Sequence, residues 1–221
     1  VRSARGKAGV TRQQILVVAS RLFAERGFYG TSTREISEAV GIRQPSLYSH
    51  FATKHLLLAE LIDLDLRPAL HRLARALELD GPVAARLHAF LHADVAAVLR
   101  LPFDVRCLYN DDALRTPELQ EQARRRDELH QLTCRLVQQG VASGELAADP
   151  VFVQRAITGL LLEVMRERGA SVRPAPDDRA VDVADFVLRA TLADPLSLVA
   201  VRVRSADLLA DIAGRRAADL V

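Results

Sequence analysis

The stretch from Gly41 to Lys54, GIRQPSLYSHFATK, places a glycine, a proline, two serines, a threonine, a tyrosine, a histidine and a lysine close together. Its punctuation decides the local fold. Gly41 breaks a preceding helical pattern after about two turns. Pro45 is tolerated only in the first turn of the helix that follows. Leu47 and Phe51, four apart, then give that short helix a single apolar face. Ser46 and His50 lie on its exposed side with no orienting carboxylate and no oxyanion donors, so nucleophilic catalysis is a poor reading.

Working outward, Thr11 opens an earlier helix, with Gln14 completing a capping box. Ile15, Ala19, Leu22 and Phe23 share one face, and Gly27 ends the helix as a left-handed cap. Ser32 and Glu35 form a second capping box before Ile36, Ala39 and Val40. Residues 11–51 therefore predict three helices, the last two joined by a tight glycine turn. That is a helix-turn-helix arrangement.

Charge sharpens this reading. The chain has 221 residues and a net charge of +2, but residues 1–55 hold nine Lys or Arg against three acids. The remainder holds 21 basic and 25 acidic residues. A basic head on a mildly acidic body points to a polyanion as the head's partner. In a helix-turn-helix the second helix enters the DNA major groove N-terminal end first. Gln44 is then placed to pair with adenine, and Pro45 and Ser46 to meet the groove edge. Tyr48, His50 and Lys54 suit phosphate oxygens. Thr33 and Arg34 open the preceding helix, whose free N–H groups attract phosphate, and Arg34 could reach a guanine. Arg43, in the turn, could contact backbone or base. A basic arm over residues 1–10, with Arg2, Arg5 and Lys7, is expected to be flexible and suited to a minor groove.

TREISEAVGIRQPSLYSHFATKHLLL resembles the DNA-binding head of the TetR family of transcriptional regulators. Thr33, Ile36, Gly41, Leu47, Tyr48, His50, Phe51, Lys54 and the leucines that follow carry the resemblance. It implies an all-α homodimer of about nine to ten helices per chain, with an N-terminal helix-turn-helix head and a C-terminal helical domain for ligand binding and dimerisation. Each head would read half of a palindromic double-stranded operator, and a small-molecule effector would relieve repression. Thr33, Tyr48, His50 and Lys54 are similar to phosphate-contacting positions of the family, and Arg34, Gln44, Pro45 and Ser46 to base-reading ones. Ser49 departs from the larger side chain that relatives often carry there. The expected organisation is an arm at 1–10, the DNA-binding domain at 11–54 and the effector and dimerisation domain at 55–221.

Periodicity in the body predicts helices over 53–79 with Pro68 inside, 83–100, 118–142, 150–168 and 178–193, with a short irregular helix around 103–110. Residues 196–204, LSLVAVRVR, alternate with period two and are expected to be extended, with Ser205 capping a short last helix. The helices at 151–167 and 178–193 are apolar on more than one face, which suits either a doubly buried pair or a four-helix dimer interface. The interface reading uses Phe152, Ala156, Gly159, Leu160, Ala180, Ala184, Val187 and Leu188. Side chains mixing apolar bulk with a polar tip give the effector-pocket expectation: Phe90, His92, Phe103, Tyr109, His130, Cys134 and Met165. Few of these are charged, so a mostly apolar or aromatic effector is expected.

Cys107 and Cys134 show no CxxC or Cys/His ligand spacing, so neither a disulfide framework nor a zinc site is suggested, and no metal or cofactor is expected. No apolar run approaches the roughly 18 residues a membrane span needs. The chain reads as cytoplasmic and non-enzymatic, with an effector-independent architectural DNA-binding protein as the alternative.

Overall fold

A computed structural model describes residues 10–108, 111–167 and 176–214. Among them are ten α-helices: α1 (Arg12–Arg26), α2 (Thr33–Val40), α3 (Gln44–His50), α4 (Lys54–Glu78), α5 (Val83–Arg100), α6 (Asp111–Leu114), α7 (Gln120–Ala142), α8 (Pro150–Glu167), α9 (Pro176–Thr191) and α10 (Leu198–Ala213). They form two compact units. One holds the chain up to Ile62 together with Pro102–Gln120; the other holds Asp63–Leu101 and the chain from Glu121 onward. The division differs from the expected break at Lys54. The head runs on to Ile62 and recruits a segment distant in sequence.

The first unit is built on local signals. Both capping boxes form, Thr11 with Gln14 and Ser32 with Glu35. Gly41 has φ 81° and ψ 30°, the left-handed conformation that lets the chain turn from α2 into α3. Gly27 also has positive φ, but its ψ of 163° is extended rather than left-handed helical, a correction to the expected cap. Ile15, Phe28, Ile36, Leu47, Leu57, Leu58 and Leu61 are all essentially sealed from solvent. Phe28 lies 5.3 Å from the Phe23 ring and 5.0 Å from that of His55. Burying one such phenyl contributes about 1.5–3 kcal/mol, so a small core suffices here. The segment from Pro102 adds buried Phe103, Val105, Cys107 and Leu108, and the Asp104 amide donates to Ser20 Oγ at 3.0 Å.

The second unit is organised around α5. Every residue from Val83 to Leu91 is buried, and α5 packs chiefly on α9 and α10. The Glu145 carboxylate caps its N-terminus, accepting from the amides of Val83 and Ala84 at 3.0 and 2.9 Å. Residues 198–213 are helical, which overturns the extended reading of 196–204. Leu198, Val201, Ser205 and Ile212 are buried at helical spacing, while Leu196, Val199 and Val203 are exposed. The apparent alternation came from mixing the two faces of one helix. Ser205 is therefore not a cap but a buried mid-helix residue.

Candidate nucleic-acid interface

The α2–Gly41–α3 turn sets two helix N-termini side by side. Thr33 starts α2 and Gln44 starts α3. Their side chains meet: Gln44 Nε2 donates to Thr33 Oγ1 at 3.0 Å and to Tyr48 OH at 3.4 Å, and Thr33 Oγ1 lies 3.2 Å from Tyr48 OH. This three-residue network fixes α3 against α2 and preorganises Gln44. Its Nε2 is engaged, while Oε1 accepts no hydrogen bond among the described residues. Tyr48 keeps 46% of its surface exposed, enough to offer its hydroxyl outward. Arg43, Pro45 and Ser46 are exposed at the N-terminal end of α3, and His50 is half-buried at its C-terminal end. Arg34 is exposed and reaches only its neighbour Glu38, at 2.8 Å. A pair of that kind contributes little in water, so Arg34 can exchange Glu38 for another acceptor.

Lys54 is different. Its ammonium donates to the carbonyls of Phe28 and Thr31 at 2.6 and 2.8 Å and sits 4.2 Å from the Phe28 ring centroid. Burial pulls its pKa below the ordinary lysine value, with Glu35 opposing. Two of the three N–H groups of the ammonium are used in this way. The amine turns inward because two carbonyls in the α1–α2 connection need a donor, and it locks that connection to α4.

Sequence reasoning also missed Arg12. Its guanidinium lies 3.9 Å over the Phe51 ring, pairs with Glu60, and donates to the His50 carbonyl. It thus pins the end of α3 between α1 and α4. Arg26 is similarly committed to Glu35 at 2.8 Å. Arg12, Arg26 and Lys54 thus hold the head together. Arg2, Arg5 and Lys7 lie outside the described residues.

The expected effector residues divide between the two units. Phe103 belongs to the first unit, whereas Phe90, His92, His130, Cys134 and Met165 belong to the second. Phe90 and Met165 are buried core residues. Cys134 Sγ donates to the Pro150 carbonyl at 3.6 Å. His92 is half-buried, and burial lowers its pKa despite Asp177 3.9 Å away. Tyr109 lies outside the described residues. The two cavities described in the second unit use none of these side chains. One, of about 660 Å³, lies between the α5 N-terminus and α10 and includes Leu192, Val201 and Arg204. The other, a groove of about 270 Å³, runs between α8 and α9.

That groove bears on the interface residues. Phe152, Ala156, Leu160 and Val187 line it, with Phe186 beside them. Phe152 and Phe186 keep 72% and 61% of their surface exposed. Ala156 and Gly159 are exposed as well. Ala180, Ala184 and Leu188 are instead completely buried within the chain, which corrects their placement on an intermolecular surface. They were assigned outward because the partner that covers them, α5, is distant in sequence.

One further constellation escaped the sequence. His88 Nε2 contacts Asp185 Oδ1 at 3.1 Å and Nδ1 contacts Ser205 Oγ at 2.7 Å. Burial lowers the His88 pKa and keeps the ring neutral, so Nε2–H donates to the carboxylate and Nδ1 accepts from the hydroxyl. The order resembles a hydrolytic triad, but His88 and Ser205 are 3% and 2% exposed, which admits no substrate. The network ties α10 to α5 and α9. Among the described residues no cluster suits a metal ion and no helix is long and apolar enough to cross a membrane.

Comparison with known proteins agrees with this geometry. Residues 15–61 match the family described as bacterial regulatory proteins, tetR family, and residues 80–190 match the tetracyclin repressor-like C-terminal domain. The chain is 28% identical over 141 residues to the HTH-type transcriptional repressor KstR2 of Mycolicibacterium smegmatis, covering 62% of this chain and 68% of that one. The Rhodococcus jostii repressor of the same name aligns over 57 residues at 44% identity, only 28% of its length. Among solved structures, Mycobacterium smegmatis AmtR superposes with a TM-score of 0.78 at 29% identity, over 94% of this chain and 98% of that one. AibR, solved with isovaleryl coenzyme A and operator DNA, shares the fold with a TM-score of 0.65 at 21% identity, over 79% of this chain and 96% of that one.

Proposed function

The chain belongs to the TetR family of bacterial regulatory proteins, and on that premise we propose that it is a ligand-responsive transcriptional repressor. It binds a palindromic operator as a homodimer and is released by a small effector with a mostly apolar body. The observation that carries the reading is the Thr33–Gln44–Tyr48 network at the paired N-termini of α2 and α3. It holds polar groups rigidly on an exposed surface whose neighbours, Arg34, Arg43, Pro45 and Ser46, are also exposed. A surface built only for solvent has no need of such preorganisation.

In this reading Gln44 reads a base, with Arg34, Arg43, Pro45 and Ser46 beside it. Thr33, Tyr48 and the flank of His50 meet phosphates. Two copies pair through the exposed α8–α9 groove around Phe152 and Phe186. A dimer sets two recognition helices about 34–36 Å apart, or a multiple of that, as half-sites on one DNA face require. The effector acts on α4, which begins in the first unit at Lys54 and continues into the second beyond Ile62. Pro68, exposed within α4, supplies the hinge. The effect on DNA binding cannot exceed the effector's differential affinity for the two states of α4. Such a protein works in the cytoplasm, beside the chromosome.

The test is selection of random duplexes by the full chain at a stated salt concentration, with the stoichiometry of the selected complex measured. A palindromic consensus bound by two chains is expected. Weak, salt-sensitive binding without enrichment would replace the repressor reading with an architectural one.

A further inference from the structure

The larger cavity of the second unit has a polar inventory that the DNA-binding reading leaves unused. Its volume of about 660 Å³ is typical of small-molecule sites. Pro82, Ala84, Leu192, Ala200 and Val201 give it apolar walls. Ser197, Ala200, Val201 and Arg204 follow the i, i+3, i+4, i+7 spacing of one helix face, so the cavity runs along α10 for two turns. Seven residues of helix rise about 10 Å, the length of an alkyl chain of about eight carbons. The polar groups of the lining are mostly spent inside the chain. Glu145 accepts from the Val83 and Ala84 amides and from Ser143 Oγ, and its charge answers the positive end of α5. Ser197 Oγ donates to the Asp194 carbonyl at 2.7 Å, and Asp194 Oδ1 accepts from the Leu196 amide at 3.0 Å. Arg204 is the exception. Its one partner among the described residues is Asp207, 3.8 Å away in an exposed pair, too far for a hydrogen bond. Its guanidinium stands at the cavity with its donors open.

We propose that this cavity binds a small amphipathic carboxylate, with its apolar chain laid along α10 and its carboxylate on Arg204. This rests on the effector-responsive reading above and adds the ligand's chemistry to it. A guanidinium offers a carboxylate two parallel N–H groups, the geometry that a point charge lacks. The apolar walls take the chain out of water, and its length matches the run from Ser197 to Arg204. Asp194, on the Ser197 side of the lining, repels an anion there and so sets which end of the ligand meets Arg204. The position has a route to the rest of the chain. Pro82 lies in the short connection between α4 and α5. Arg86, in the first turn of α5, donates to the carbonyls of Ala76 and Leu77 near the end of α4, at 3.0 and 3.2 Å. A ligand against Pro82 and Ala84 therefore bears on the segment that seats the end of α4, the helix that follows α3.

The experiment uses three matched probes, octanoate, 1-octanol and octylamine. They are titrated into the full chain by calorimetry and into its complex with the selected operator. Octanoate is expected to bind about tenfold or more tighter than octanol, and octylamine weakest. That ranking needs only the wild-type chain. Arg204→Gln should bring octanoate down to the affinity of octanol and leave octanol unchanged. Ala200→Phe, which fills the cavity, should weaken both. Arg204 and Ala200 are exposed, so neither substitution disturbs the core. Equal binding of octanoate and octanol overturns the inference, as does an octanoate preference that survives Arg204→Gln. Binding that depends on Arg204 but is indifferent to Ala200→Phe also overturns it, because the anion then sits outside the cavity. If octanoate binds through Arg204 and leaves the operator complex intact, the carboxylate site stands and the effector-release reading falls. If one of the probes releases the operator equally from wild type and both variants, the release reading stands and the carboxylate site falls.

Discussion

The α2–α3 surface and the α5–α9–α10 packing use polar groups in opposite ways. On the head, Thr33, Gln44 and Tyr48 bond to one another in the open and remain free to trade partners. In the body, Arg72 with Asp94, and His88 with Asp185 and Ser205, are largely buried and satisfy one another. The first arrangement suits the recognition role proposed for it; the second fixes which helix lies against which. Lys54 shows how narrow the distinction is. It stands in the recognition motif by sequence, yet two of its three N–H groups are held by backbone carbonyls.

Substitutions can break this contrast. The largest effect is expected from Arg72→Met, which leaves Asp94 charged and buried. Chemical denaturation should show a loss of about 3–5 kcal/mol. Asp65→Asn sharpens the same point in reverse. Burial pushes the Asp65 carboxyl up to about 7, so the folded chain holds a proton that the unfolded chain releases near its ordinary value of 3.8. Stability is therefore lost as pH rises from about 4 to 7. The variant should match wild type near pH 4 and exceed it at pH 8, by up to about 4 kcal/mol. Next comes Lys54→Met, which strands the carbonyls of Phe28 and Thr31. A loss of about 2–3 kcal/mol in head stability is expected, with hydrogen exchange in α1 and α2 rising together. Operator affinity in that variant should fall only as far as the folded population does, and the salt slope should hold. A slope reduced by about one unit would restore Lys54 to the phosphate surface. Ser205→Ala leaves His88 Nδ1 without a donor and should cost about 1–2 kcal/mol, loosening α10 first. Pro68→Ala should alter the effector's influence on operator binding more than operator affinity itself. Equal loss of both would remove the hinge.

The head was legible because its signals are local. Two capping boxes, a glycine turn and a proline at the start of α3 lie within a few dozen residues, and each acts on its neighbours. The inward turn of Lys54 was not legible, since its acceptors lie more than twenty residues upstream. Recruitment of Phe103 to the head hides for the same reason. In the body, the helices could be read, but not which of their faces α5 covers. Ala180 and Ala184 seemed available because small residues suit both close packing within a chain and close approach between chains. Helix α10 was missed by a period error. Read from Leu198 to Ile212, the buried positions follow a helix; from Leu196 to Arg204 alone, the alternation of residue types imitates a strand.

The account stands on Gln44 as a base reader held ready by Thr33 and Tyr48. The most direct test measures wild type and Gln44→Ala against the selected operator and its single-base-pair variants, over a range of salt. The variant should retain its fold and its salt slope and lose about 1–3 kcal/mol of discrimination at one position in each half-site. Uniform weakening across every sequence, with no position relaxed, would contradict the account and leave the α2–α3 face a phosphate-binding surface.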